Sequence, residues 1–284
     1  MEENNLRPVT PIRPAAAYIG GKRRLGEQLA RRIESVEHST YAEPFVGMGG
    51  VFFRRRWAPR REVINDISRD VATLFRILQR HYPQFMETLK FQIASRREFE
   101  RLLACNPDTL TDLERAGRFL YLQRLAFGGK VAGRNFGVEP SGPSRFDVTK
   151  LGPVLVEIHE RLAGVVIECL PWSDFLQRYD TPETLFYLDP PYWGSETDYG
   201  AGVFAGSDFA RLAVHLGSIK GRFILSVNDV PEMRAVFAQF SIESVSTRYT
   251  ITGGKWADVA EIVVTGPAPG AVPPAADLLS GIGT

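Results

Sequence analysis

Leu185-Phe186-Tyr187-Leu188-Asp189-Pro190-Pro191-Tyr192 is the stretch whose reading decides the fold. Its first four residues are apolar and predict a short buried strand; two consecutive prolines stop it by removing backbone donors and barring a helical continuation. Asp189 and Tyr192 are thereby presented at a strand's carboxyl end, the edge where open α/β sheets bind ligands. A rigid turn with an acid at its start and an aromatic at its end suits a planar ring that bears an amino group. The carboxylate of Asp189 and the carbonyl of Pro190 can each accept one hydrogen of an exocyclic amine, and Tyr192 offers a face for stacking. The plainer alternative is a strand-ending turn whose acid caps the next segment.

Upstream, Tyr41-Ala42-Glu43-Pro44-Phe45-Val46-Gly47-Met48-Gly49-Gly50-Val51-Phe52-Phe53 reads as a strand, a glycine turn and a helix start. Without side chains at Gly47, Gly49 and Gly50, a ligand can lie directly against the backbone. The pyrophosphate fingerprint Gly-x-Gly-x-x-Gly needs a third glycine where Phe52 stands, which argues against a pyridine nucleotide and an oxidoreductase. Arg61-Glu62-Val63-Ile64-Asn65-Asp66-Ile67 is the next strand. Asp66 follows Gly49 by about 17 residues, near the spacing of a carboxylate that binds ribose hydroxyls. Capping the helix that carries Val71, Leu74, Phe75 and Leu78 is its alternative role. Nearer the N-terminus, Tyr18-Ile19-Gly20-Gly21-Lys22 is a glycine-hinged loop before Leu25, Leu29 and Ile33 at helical spacing. It can wrap an anionic or carboxylate-bearing ligand, or serve as an ordinary turn before a surface helix.

Asp189-Pro190-Pro191-Tyr192 resembles the catalytic motif of amino-group DNA methyltransferases, and the motif order resembles the Dam-like, D12 class of adenine-N6 enzymes. The resemblance runs over most of residues 15 to 265. It implies an α/β fold: a Rossmann-like S-adenosylmethionine-dependent methyltransferase sheet with a late antiparallel hairpin and a mainly helical inserted target-recognition domain. It implies site-specific methyl transfer from S-adenosylmethionine to the N6 amine of a flipped adenine in double-stranded DNA, with Asp189, Pro190 and Tyr192 as catalytic residues. In the family, the aromatic and lysine of the first motif (Tyr18, Gly20, Gly21, Lys22) help enclose the cofactor. The Phe-x-Gly-x-Gly loop binds its methionine moiety, so Glu43, Pro44, Phe45, Gly47 and Gly49 join Asp66 and Asp189 as its expected contacts. Val165-Val166-Ile167-Glu168-Cys169-Leu170 resumes the sheet, and the residues after such a strand flank the cofactor's adenine, which makes Asp174 and Phe175 further contacts. A helix cap and a core phenylalanine explain that last pair nearly as well. A Ser-Pro-Pro-Tyr motif is associated more with cytosine and Asn-Pro-Pro-Tyr with glutamine or other acceptors, so Asp189 leans towards adenine; RNA adenine, cytosine N4 and a protein glutamine amide are the alternative acceptors. A nucleic-acid-binding module that had lost catalysis would show a damaged acid or cofactor loop, and both are intact.

Residues 1 to 14, with three prolines, predict a loose N-terminal arm. Residues 15–81 and 151–265 are expected to form the catalytic domain. Between them, 82–150 changes to helical, charged and then glycine-rich sequence: Thr111-Asp112-Leu113-Glu114 is a capping box, and Leu113, Gly117, Leu120, Tyr121 and Arg124 continue one helical stripe. The basic, glycine-rich stretch from Phe127 to Val138 follows. This is where the D12 family keeps its target-recognition domain, so the resemblance implies nucleic-acid contacts at Arg124, Lys130, Arg134, Asn135 and Arg145. Dam itself has an Asn-Gly-x-x-Arg-Tyr-Asn type of sequence here, and the displaced Arg134-Asn135 of this chain carries no implication of a GATC target. The segment from Gly194 to Gly206, with Tyr199 and Phe204, suits a loop closing over a flipped base. Glu243 to Ile251 and Val259 to Thr265 predict a hairpin turned by Gly253-Gly254-Lys255, and 266–284 a disordered tail.

The composition is that of a globular protein: 284 residues, 44% hydrophobic. The net charge of +1 does not announce a polyanion partner, although basic residues cluster at Lys22-Arg23-Arg24, Arg54-Arg55-Arg56 and Arg96-Arg97. Cys105 and Cys169 are too isolated, and the four histidines too scattered, for a metal site or a disulfide framework. No apolar run approaches a membrane span and the N-terminus lacks a signal-peptide core. A cytoplasmic, nucleoid-associated protein acting on DNA as a monomer or dimer is expected.

Overall fold

The computed structural model describes residues 6–22, 25–137, 142–200, 202–250 and 256–267. Its strands are β1 (Arg7–Pro8), β2 (Thr40–Glu43), β3 (Trp57–Ala58), β4 (Arg61–Asn65), β5 (Val166–Glu168), β6 (Thr184–Leu188), β7 (Arg222–Asn228), β8 (Phe240–Thr250) and β9 (Trp256–Pro267). Its helices are α1 (Gly26–Ser35), α2 (Arg69–Arg80), α3 (Tyr82–Leu89), α4 (Arg96–Ala104), α5 (Asp112–Leu125), α6 (Val148–Arg161), α7 (Trp172–Tyr179), α8 (Gly206–Leu216) and α9 (Pro231–Val236).

Seven strands form one sheet in the order β5-β4-β2-β6-β7-β9-β8. β5, β4, β2, β6 and β7 run parallel, and the β8–β9 hairpin closes the edge antiparallel to β7. From β2 the chain builds outward to β4 and β5, then returns to lay β6 against the other side of β2. The strand order therefore reverses between β2 and β6, and the crevice beyond their carboxyl ends is where a ligand fits an open sheet of this kind.

Every residue of β6 is buried, as the unbroken apolar run requires. Alternation divides its side chains between two cores: Leu185 and Tyr187 join the cluster formed with α1, α2, α5 and α6, while Phe186 and Leu188 join the one formed with α7, α8 and α9. With helices on both faces, the strand ends form rims where polar chemistry reaches solvent.

Three sequence expectations change. The N-terminal arm is pinned from residue 7: β1 pairs antiparallel with β3, and the amides of Val9 and Ile12 donate to the carbonyls of Arg56 and Phe53. The helix after Thr111 has its capping box, but α5 is buried on most of its circumference rather than along one stripe. It packs against α2, α3 and α4, and its polar side chains are used internally: Arg115 bonds Asp70 at 2.6 Å and Arg118 the carbonyl of Leu102 at 2.7 Å. The 82–150 segment thus shares its core with α1 and α2, and α6 runs straight through the expected boundary at 150. The late hairpin is longer than expected. Its turn, Gly253-Gly254-Lys255, and the tail from residue 268 lie outside the described residues.

Candidate active site

Beyond the carboxyl ends of β2 and β6, the glycine loop and the double-proline turn meet. The turn is held from β7: the side-chain amide of Asn228 both accepts from the backbone N–H of Trp193 (3.0 Å) and donates to its carbonyl (3.2 Å). Ser226, two residues earlier on the same face, bonds the Tyr187 hydroxyl at 2.9 Å and donates to Asp189 Oδ1 at 3.4 Å. Asn65 ties the neighbouring strand ends together, donating to the carbonyls of Pro44 and Leu170 and accepting from the amide of Leu170.

Lys22 reaches into this crevice with only 1% of its surface exposed. Its ammonium lies 2.6 Å from Asp189 Oδ1, donates to the Tyr192 hydroxyl at 2.6 Å, and is 3.4 Å from Glu261 Oε2. Burial opposes its charge, but Asp189 and Glu261 outweigh burial and hold Lys22 above the ordinary lysine range. Burial pushes Asp189 up to about 6 against the pull of Lys22, with the charge of Glu261 adding to the rise. The pair is therefore carboxylate and ammonium at neutral pH.

Around the glycine loop, Asp66 accepts from the amides of Gly47 and Ser68, both at 2.9 Å. It spans the loop and the start of α2, whose N-cap position is Ser68. Burial raises Asp66 to about 6, with those two amides opposing. Gly47 has φ +49°, and a Cβ there would press on the ring of Tyr18 at 3.0 Å, so the aromatic of the first motif lies directly against the loop. Tyr199 closes on the same motif, its hydroxyl bonding the Ile19 carbonyl at 3.1 Å and standing where a Cβ on Gly20 would go. Glu43 is buried and accepts from the Tyr41 hydroxyl at 2.6 Å; burial pushes it up to about 8. Phe45 packs edge-on against Phe204.

The expected residues divide cleanly. Tyr18, Gly20, Gly21, Lys22, Glu43, Pro44, Phe45, Gly47, Gly49 and Asp66 gather with Asp189, Pro190 and Tyr192 along one rim. Asp174 is exposed at the start of α7, bonded to Ser173. Phe175 is fully enclosed in the core against Tyr179, because the helix turns it inward, and it presents no surface to a ligand. Arg124 is spent on the carbonyls of Arg145 (2.7 Å) and Ala15 (3.0 Å), and Arg134 on those of Lys130 and the Gln123 side chain. Lys130 and Asn135 are exposed in the same segment, and Arg145 is half-buried. A surface cavity of about 400 Å³ opens elsewhere, beside Arg76, Arg80, His81 and Thr111, and no expected site residue lines it.

Glu261, Ser226, Asn228 and Asn65 were missed. Glu261 left a legible trace, a lone acid inside the apolar run Val259-Ala260-Glu261-Ile262-Val263-Val264. β9 sets it opposite Asn228, at the carboxyl end of β7.

Residues 18–251 match the family model described as D12 class N6 adenine-specific DNA methyltransferase. The chain belongs to this family. Among relatives of this D12 methyltransferase, a type II methyltransferase of Lactococcus lactis subsp. cremoris is 26% identical over 89% of the chain and 95% of its own length. One from Paramecium bursaria Chlorella virus NC1A is 23% identical over 80% of the chain and 86% of its own. A third, from Methanocaldococcus jannaschii, is 24% identical over 71% and 78%. The mixed sheet with its antiparallel edge hairpin is the Rossmann-like fold of S-adenosylmethionine-dependent methyltransferases.

The residues present fit that cofactor. Glu43 lies within electrostatic reach of Asp189 and Asp66, and Asp189 of Glu261. With one ammonium, Lys22, facing both Asp189 and Glu261, the edge suits a ligand carrying positive charge better than a pyrophosphate. Among the described residues no group of acids, histidines and cysteines could hold a metal, and no helix is long and apolar enough to cross a membrane.

Proposed function

We propose that this D12 methyltransferase transfers a methyl group from S-adenosylmethionine to N6 of an adenine swung out of double-stranded DNA. The observation that carries the reading is the parallel pairing of β2 with β6, because it brings the glycine loop and Asp189-Pro190-Pro191-Tyr192 to one rim within reach of one ligand pair. Bound there, the cofactor supplies a methyl group activated by a sulfonium. Tyr18, Gly47, Asp66 and the backbone of the glycine loop are the residues that would hold it, with Asp66 towards the ribose hydroxyls.

An adenine amine is a poor nucleophile, since its lone pair is delocalised into the ring. Asp189 and the Pro190 carbonyl accept its two hydrogens and direct the lone pair outward. Tyr192 stacks on the ring; at about 1–3 kcal/mol, stacking and phosphate contacts offset the few kcal/mol of unpairing. As N6 gains the methyl group its proton becomes acidic, and Asp189 is placed to take it. Lys130 and Asn135 face solvent in the segment that would meet DNA, with the duplex's phosphates as their partner.

Mapping of modified bases in the DNA of a host expressing the chain tests this directly. N6-methyladenine at one recurring sequence is the expected result. N4-methylcytosine would change the acceptor, and unmodified DNA from a folded, cofactor-binding protein would overturn the reading.

A further inference from the structure

Glu261 is an acid that the mechanism above does not use. It is 0% exposed, it stands in the middle of an apolar strand, and among the described residues neither of its carboxylate oxygens accepts a hydrogen bond. Its nearest charge is the Lys22 ammonium at 3.4 Å, which points its hydrogen bonds elsewhere, at Asp189 and Tyr192. A buried carboxylate left without donors is costly, and the Lys22 ammonium stands within a short movement of supplying them.

Lys22 supplies the reason for a second state. A charge-assisted bond at 2.6 Å makes it a donor to Asp189 Oδ1, where the Ser226 hydroxyl also leans, so the carboxylate expected to receive the acceptor amine is already engaged on that oxygen. While the lysine stays there, its charge draws electron density from the carboxylate and weakens Asp189 as an acceptor. If it left without another partner, a buried ammonium would stand uncompensated. Resting on the proposed methyl transfer, we infer that Glu261 is a positioning residue: it takes over the Lys22 ammonium when Asp189 engages the amine of the incoming base. The lysine's single point charge on a flexible stem suits such a hand-over, in which a guanidinium fork would be locked in place. Closing the 3.4 Å gap gives Glu261 the hydrogen bonds it lacks and leaves the charge inside the crevice unchanged.

The test is a double-mutant cycle on Glu261→Gln and Lys22→Met, measured as single-turnover methyl transfer to a duplex carrying the mapped target, with cofactor affinity by calorimetry and melting temperature alongside. Glu261→Gln is expected to slow transfer about tenfold or more in the native background, with cofactor affinity little changed, and Glu261→Asp to restore part of the loss. In the Lys22→Met background the same change should add almost nothing, because the group that Glu261 acts on is gone. A native rate in Glu261→Gln, or an equal loss in both backgrounds, overturns the inference. If Glu261→Gln alone does not fold, Glu261→Asp and the double variant decide: the aspartate variant must be slow, and the double variant no slower than Lys22→Met. A second readout is the lysine ammonium itself, followed by nitrogen-15 NMR. Adding duplex should shift the Lys22 signal in the native protein and leave it unmoved in Glu261→Gln; a signal that moves alike in both proteins also overturns the inference. Should the native protein methylate no adenine, the proposed function fails and this inference fails with it, whereas methylation without coupling in the cycle overturns the inference alone.

Discussion

Two buried charge clusters sit at opposite rims of the same sheet, and they are built on opposite rules. At the amino end of β4, Glu62 receives Arg161 through two bonds at 2.8 and 2.7 Å and Arg55 through a third. Despite burial, those guanidinium groups hold Glu62 below the usual carboxylate range. Arg55 also stacks over Tyr41 at 3.7 Å and Arg161 over Phe52 at 4.2 Å, so planar cations fill the space on aromatic faces. At the carboxyl end, one lysine faces two acids, Asp189 is raised to about 6, and among the described residues neither carboxylate oxygen of Glu261 accepts a hydrogen bond. The first cluster has donors in excess, with Arg55 Nε and Nη1 and Arg161 Nε unbonded among the described residues, and its rigid forks serve the fold. The second is left short of donors, and that deficit is what an incoming amine and a movable lysine can use.

The largest expected effect separates the two rims. Asp189→Ala should lower methyl transfer by about 1,000-fold while the protein stays folded, since Glu261 still balances Lys22; radiolabelled methyl transfer and a thermal melt on the same sample check both halves. Glu62→Gln should do the reverse. Leaving two buried arginines without a counter-charge costs about 3–5 kcal/mol, a fall in melting temperature on the order of 10 °C, with the rate per folded molecule within about twofold of native. A large rate loss in Glu62→Gln would break the contrast.

Glu43 sharpens it through pH. Its folded-state value of about 8 is raised by burial, so the folded protein binds that proton more tightly than the unfolded chain, and stability is lost as pH rises from the ordinary carboxylate value near 4.5 to about 8. Glu43→Gln keeps an acceptor for Tyr41 and removes the charge. It should melt higher than the native protein at pH 8–9, by a margin of roughly 1–3 kcal/mol, with the gap closing by pH 4–5. The smallest effect belongs to the exposed segment. Lys130→Ala should weaken duplex binding uniformly across sequences and reduce the salt slope by about one, as read by fluorescence anisotropy at several salt concentrations, without changing the melting temperature.

The motifs that bring the chemistry were legible because each obeys a local rule. Proline pairs end strands, glycines open loops, and an acid after an apolar run marks a strand's carboxyl end, so Asp189, Gly47 and Asp66 needed no neighbours to be noticed. Basic residues were less legible. Arg124 and Arg134 read as phosphate contacts, yet the fold spends them on carbonyls of its own loops, a use that depends on which loops come near. Phe175 likewise read as a ligand contact until the helix turned it into the core.

The sequence by itself determined the order of the elements, the two ends of the crevice and the acid between them, because backbone restrictions and apolar periodicity act over a few residues. Only the tertiary structure decided what surrounds that acid. Lys22, Asp189 and Glu261 come from an N-terminal loop, a central strand and the last strand, and charges so far apart in sequence acquire partners only when the β2–β6 reversal and the edge hairpin bring them together away from water. Electrostatic pairing depends on distance and burial, and neither is written in the chain's local pattern.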